Sequence, residues 1–104
     1  MELGLNGKNV IITGGGSNIG RSIVHAFANE GANIAIAELA PEQGERVALE
    51  VSQSGISGDI KVIPTDVTDP SSVENMVNET ISTMGSVDIL VNNVGWTVDR
   101  LFLD

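Results

Sequence analysis

Thr13-Gly14-Gly15-Gly16-Ser17-Asn18-Ile19-Gly20 is the stretch on which the reading of this chain turns. Before it stands Val10-Ile11-Ile12, β-branched and too short for a helix, which reads as a buried strand running into a tight turn. After it, Ile19, Ile23, Val24 and Phe27 recur on one helical face, and Glu30-Gly31 closes that helix with a left-handed cap. Glycine lets a backbone turn sharply and approach a ligand closely, while the N–H groups at the start of a helix point toward an anion. A pyrophosphate is the natural occupant of such a turn. The same glycines also suit a strand-to-helix turn that needs them for geometry alone, so the remainder of the chain has to decide.

Outward from the turn, short apolar runs alternate with segments of helical period. Asn33 to Glu38 reads as a second buried strand. Pro41 opens a second helix that turns Val47, Ala48 and Val51 inward and keeps Glu42, Glu45 and Glu50 wet before Gly55. Lys61-Val62-Ile63-Pro64 is a third strand, ended by its proline. Asp69-Pro70 reads as an N-cap with proline at the first helical position. Val73, Met76, Val77, Thr80, Ile81 and Met84 then keep a 3.6 period up to Gly85. Val87 to Val91 is the fourth strand, and its unbroken apolar character predicts cover on both faces. Strands alternating with helices through right-handed crossovers give an α/β fold, an open parallel sheet of order 3-2-1-4 with helices on both faces. Residues 1–104 are expected to form one domain.

Composition narrows the function. Fourteen acidic residues stand against five basic ones, Lys8, Arg21, Arg46, Lys61 and Arg100, giving a net charge of -9 that disfavours nucleic acid and anionic membranes as partners. With no cysteine in its 104 residues, the chain has no disulfide, thiolate metal site or Cys nucleophile. No apolar run approaches the roughly 20 residues of a membrane span, and the start lacks the basic residues of a signal peptide. A soluble cytoplasmic protein is the expectation.

Each strand delivers a small or polar cluster to one edge of the sheet, the edge where open α/β sheets bind ligands. Glu38, 18 residues after Gly20, ends the second strand, where a carboxylate can accept both hydroxyls of an adenosine ribose. Its plainer reading is a solvated loop acid in an acidic chain. Asp66-Val67 follows the third strand, and Asn92-Asn93-Val94-Gly95 follows the fourth.

Taken together these motifs resemble the amino-terminal half of a short-chain dehydrogenase/reductase. That family's T-G-x-x-x-G-x-G matches Thr13 to Gly20, its N-N-A-G matches Asn92-Asn93-Val94-Gly95, and its Asp-Val after the third strand matches Asp66-Val67. The resemblance implies a Rossmann-type sheet, here truncated after the fourth strand. It implies that Gly14, Ser17, Asn18 and Ile19 line the pyrophosphate and adenosine ribose, with Gly20 completing the turn. Glu38 would hold that ribose, Asp66 would accept the adenine amino group, and Val67 would flank the ring. Asn93 and Gly95 would lie near the ribose on the nicotinamide side, while Asn92 ties the sheet together.

The chain departs from the family pattern at Asn18, which replaces a glycine and is expected to tolerate positive φ, and at Val94, which replaces an alanine. Because Glu38 would repel a 2′-phosphate and neither the turn nor Leu39 supplies a cation, the expected cofactor is NAD rather than NADP.

The resemblance implies an NAD-dependent oxidoreductase acting on a secondary alcohol or ketone, a homo-oligomer when complete. The family's Ser, Tyr and Lys catalytic residues would lie beyond the fourth strand. With no tyrosine in the sequence, and with Lys8 and Lys61 elsewhere, the 104 residues are expected to bind the cofactor without turnover. A non-catalytic NAD-binding module complete at 104 residues is the alternative. A methyltransferase would want an acid before the glycine turn, where Thr13 stands. His25, mid-helix with no acidic partner in register, reads as a surface residue. Trp96 reads equally as substrate-mouth residue or apolar cover. Without an outer neighbour the fourth strand would be an apolar edge that recruits other chains.

Overall fold

The strand entering the glycine turn, β1 (Asn9–Thr13), is buried along its whole length, as its β-branched sequence predicts. It is the pivot of a computed structural model that describes residues 4–16, 18–55 and 58–93. From β1 the chain continues through α1 (Asn18–Asn29), β2 (Asn33–Glu38), α2 (Pro41–Gln53), β3 (Ile60–Pro64), α3 (Pro70–Met84) and β4 (Ile89–Asn92). The sheet has the order β3-β2-β1-β4 and every pairing is parallel. Ile11 pairs with Ala35 on one side and Leu90 on the other, so β1 and β2 are the central strands.

Alternation along the strands divides the core between two faces. Val10, Ile12, Ile34 and Ile36 meet Val24 and Ala28 of α1 and Val47 and Val51 of α2. Ile11, Ala35, Ala37 and Ile63 meet Met76 of α3, with Val73, Val77 and Met84 packed around them. Helices therefore cover both faces. Burying each large aliphatic side chain of this kind contributes about 1.5–3 kcal/mol.

Helix ends obey local chemistry. The Asp69 carboxylate accepts the Ser71 N–H at the start of α3, with Pro70 in the first turn, and Gly85 closes it at φ 96°. Gly31 turns the chain out of α1 at φ 83°.

Three expectations need correction. Ile19 is 69% exposed, because Gly20, Val24 and Ala28 form the sheet-facing stripe of α1. The fourth strand begins at Ile89 rather than Val87, since Asp88 is drawn into a pair with Asn9: its N–H donates to the Asn9 carbonyl and its carboxylate accepts the Asn9 N–H at 2.8 Å. Nor is that strand covered on both sides. Leu90 is 60% exposed, whereas the pairing of β4 with β1 alone among the described residues is the edge position expected of it.

Candidate functional site

All four strands run in one direction, so the loops leaving Thr13, Glu38, Pro64 and Asn92 gather at a single edge. Helix α1 starts there, and its dipole presents its positive end to that edge.

Gly14 takes φ 67°, and its N–H donates to the Ala37 carbonyl at 2.8 Å, which pins the turn to the end of β2. A side chain is disfavoured at that dihedral. Gly20 is required for a different reason: a Cβ there would run into the Gly14 carbonyl and lie 2.8 Å from the Asn93 amide nitrogen. Asn18 opens α1, and no residue other than glycine has positive φ among those described. The expected left-handed strain at Asn18 is thus not needed, because Gly14 makes the reversal. Asn18 and Ile19 are both exposed at the helix start. Ser17 lies outside the described residues.

Glu38 ends β2, half-buried, and its Oε2 accepts the Gly16 N–H at 2.9 Å. It is not the freely solvated acid of the plainer reading. Leu39 beside it is 71% exposed. After β3, Asp66 sits in a tight turn whose Oδ1 accepts the Thr68 hydroxyl at 2.6 Å and the Thr68 N–H at 2.9 Å. These donors, the hydroxyl first, hold its carboxyl below the ordinary range. The Asp66 N–H donates to Ser72 Oγ at 2.9 Å, and Val67 is half-buried beside it.

Thr13 couples the first and fourth strands. Its buried hydroxyl lies 3.0 Å from Asn92 Oδ1 and accepts the Asn93 N–H at 2.9 Å, while Asn93 Nδ2 donates to the Gly14 carbonyl at 3.2 Å. Asn92 is therefore a tie of the kind expected, and Asn93 is a second tie, from β4 to the glycine turn. Gly95, like Val94 and Trp96, lies outside the described residues.

The structure thus brings Gly14, Asn18, Ile19, Gly20, Glu38, Asp66, Val67 and Asn93 to the ends of four adjacent strands. Two contributors escaped the sequence reading. From sequence Thr13 reads only as a motif residue, although a hydroxyl ending one buried strand and two asparagines ending another are a signal for a cross-strand tie. Gln43 packs against Gly16, where a Cβ would stand 2.7 Å from Gln43 Cβ, and no local pattern announces that contact.

Away from this edge, Glu50 Oε1 of α2 receives Arg21 Nε at 2.6 Å and lies 3.0 Å from His25 Nε2. His25 does have an acidic partner, contributed by a different helix, and Glu50 is not merely a wet outer residue. The pairing with Arg21, then His25, holds the Glu50 carboxyl below its ordinary range. Among the described residues no cluster of three or more His, Asp and Glu could hold a metal, and no helix is long and apolar enough to cross a membrane.

The family model for short chain dehydrogenase matches residues 8–104. An uncharacterized oxidoreductase of Thermotoga maritima is 42% identical over 89 residues, covering 86% of this chain and 34% of that protein. The crystal structure of a hydroxysteroid dehydrogenase from Escherichia coli superposes with a TM-score of 0.83 at 36% identity, over 88% of this chain and 38% of that one. A 3-ketoacyl-(acyl-carrier-protein) reductase from Brucella melitensis complexed with NADH gives 0.73 at 34% identity, over 83% and 33%. The chain thus spans about a third of the length of these relatives.

Proposed function

The chain belongs to the short-chain dehydrogenase family, and from that premise we propose that residues 1–104 are the dinucleotide-binding domain of an NAD-dependent oxidoreductase acting on a secondary alcohol or ketone. The observation that carries this reading is the position of Glu38: a carboxylate at the end of β2, 2.9 Å from the glycine turn, with an uncharged Leu39 as its neighbour. An acid there suits the two hydroxyls of an adenosine ribose and opposes a 2′-phosphate. The NADH bound in the Brucella relative supports the same choice of dinucleotide.

In this reading Gly14, Ser17, Asn18, Ile19 and Gly20 shape the pyrophosphate site at the positive end of α1. Glu38 holds the adenosine ribose, Asp66 accepts from the adenine amino group, and Val67 flanks the ring. Asn93 and Gly95 border the nicotinamide-side ribose. Asp66 is suited to accepting because an aspartate carboxylate is ionised at neutral pH. Bound NAD supplies the hydride acceptor. The proton of the substrate hydroxyl needs a separate general base, and with no tyrosine among the 104 residues the chain is not expected to turn over by itself. Homo-oligomerisation and a cytoplasmic setting belong to the same proposal for the whole protein.

Titration calorimetry tests the cofactor assignment. NAD should bind more tightly than NADP, and Glu38→Ala should weaken NAD by about tenfold, the size of one or two charged hydrogen bonds, while narrowing the gap. Equal affinities for the two dinucleotides in the unaltered protein would refute it.

A further inference from the structure

The contact between Glu38 and Gly16 does more than locate an acid near the turn. The Glu38 backbone is fixed, since its carbonyl accepts the Thr65 N–H at 3.0 Å. The turn is fastened to the same strand end at two points, through Gly14 N–H to the Ala37 carbonyl and through Gly16 N–H to Glu38 Oε2. At Gly16 the absent side chain is what permits this: a Cβ there would lie 2.7 Å from Gln43 Cβ and 3.1 Å from Glu38 Oε2. The glycine turn, the end of β2 and the first turn of α2 therefore meet around one carboxylate.

We propose that Glu38 is a positioning residue for the glycine turn as well as a ligand contact, with Oε2 bracing the Gly16 N–H and Oε1 left to face the bound dinucleotide. The ligand half of this rests on the proposed function, whereas the brace rests on the contact itself. Two consequences follow from dividing the oxygens. The Gly16 N–H is already taken by a protein carboxylate, so anion binding falls to the start of α1. In addition, a freely rotating glutamate could swing aside to admit a 2′-phosphate, but this one would leave the Gly16 N–H without its acceptor. Selectivity for NAD then includes the cost of that lost hydrogen bond besides charge repulsion. Glutamine preserves one accepting oxygen and presents an NH₂ group in place of the other, so it separates the two tasks.

Amide hydrogen exchange on the 104-residue chain, resolved by ¹H–¹⁵N spectra with and without NAD, tests the proposal. In Glu38→Ala the Gly16 amide should exchange at least about tenfold faster, while the amides of Ile11 and Ile12 in β1 keep their rates and so report an intact fold. Glu38→Gln should restore Gly16 to within about threefold of the unaltered rate, yet bind NAD more weakly than the unaltered chain. Adding NAD to the unaltered chain should leave Gly16 protected. An unchanged Gly16 rate in Glu38→Ala, or faster exchange at Gly16 on adding NAD, would overturn the proposal. If Gly16 depends on Glu38 but NAD does not bind, the brace is supported and the cofactor reading alone is refuted.

Discussion

At the amino ends of the strands Asn9, Asn33, Asp59 and Asp88 close on one another, whereas at the carboxyl ends similar residue types surround a turn made of glycine. Asn9, only 7% exposed, donates through Nδ2 to the Met84 carbonyl at 3.0 Å and to Ser86 Oγ at 3.1 Å. Its Oδ1 accepts from Asn33 Nδ2, whose own Oδ1 accepts the Asp59 N–H, both at 3.0 Å. The network ties both central strands to the end of α3 and to the entries of β3 and β4. At the opposite edge Thr13, Asn92 and Asn93 also form ties, but beside them lie Ile19 and Leu39, 69% and 71% exposed. Asparagines and aspartates at a strand end are therefore no mark of a site. Glycines at the start of a helix and a half-buried carboxylate bonded to their turn are what set the carboxyl edge apart.

Damage to the amino-end network should have the largest effect, and on stability alone. Asn9→Ala strands the Asn33 amide and the Met84 carbonyl, and should cost about 2–3 kcal/mol in urea unfolding, the range for several lost partners at a buried polar hub. NAD affinity of the folded protein should stay within about twofold, because the network lies at the far edge from the site. A large loss of affinity without loss of stability would mean that the two ends are coupled.

Gly20→Ala makes the complementary cut. Its Cβ would press on the Gly14 carbonyl and the Asn93 amide, so overpacking should cost about 1–3 kcal/mol. Here NAD binding should fall in the protein that remains folded, since the displaced atoms belong to the turn itself. Calorimetry under native conditions separates the two effects.

A smaller effect concerns acid. The carboxyls of Asp66 and Glu50 are lowered in the folded protein, by Thr68 and by Arg21 with His25 respectively. Both then bind protons less readily folded than unfolded. Their stabilising contribution is fully present above the ordinary carboxylate value and disappears as pH falls through the folded-state value. Thr68→Val removes the hydroxyl donor but keeps the backbone N–H, so Asp66 should titrate closer to its ordinary value. Carbon-detected titration of the Asp66 carboxyl reads this directly, and an unmoved midpoint would show that the backbone donor alone sets the shift.

Much of this architecture is legible without coordinates because its signals are local. Asp69-Pro70 and Gly85 bound a helix by capping chemistry, and Val10-Ile11-Ile12 before Thr13-Gly14 can hardly be anything but a buried strand and its turn. What escaped the sequence depends on distant partners. Ile19 looked inward by period until Gly20 proved to be the residue against the sheet. Val87 and Asp88 looked like strand until Asp88 paired with Asn9, 79 positions away. His25 lacked a partner on its own helix and found Glu50 on the next. The same applies at the site: the nearness of Glu38 to the turn could be expected from topology, but its bond to Gly16 could not.

The carboxyl edge, and not the equally polar amino edge, should receive the dinucleotide. Chemical-shift mapping of the ¹⁵N-labelled protein during an NAD titration tests it most directly. Saturable shifts should concentrate on the amides of Gly14, Gly16, Gly20, Glu38 and Asp66, with Asn9, Asn33, Asp59 and Asp88 unmoved. Shifts centred on the Asn9 network, or none anywhere at millimolar NAD, would contradict it.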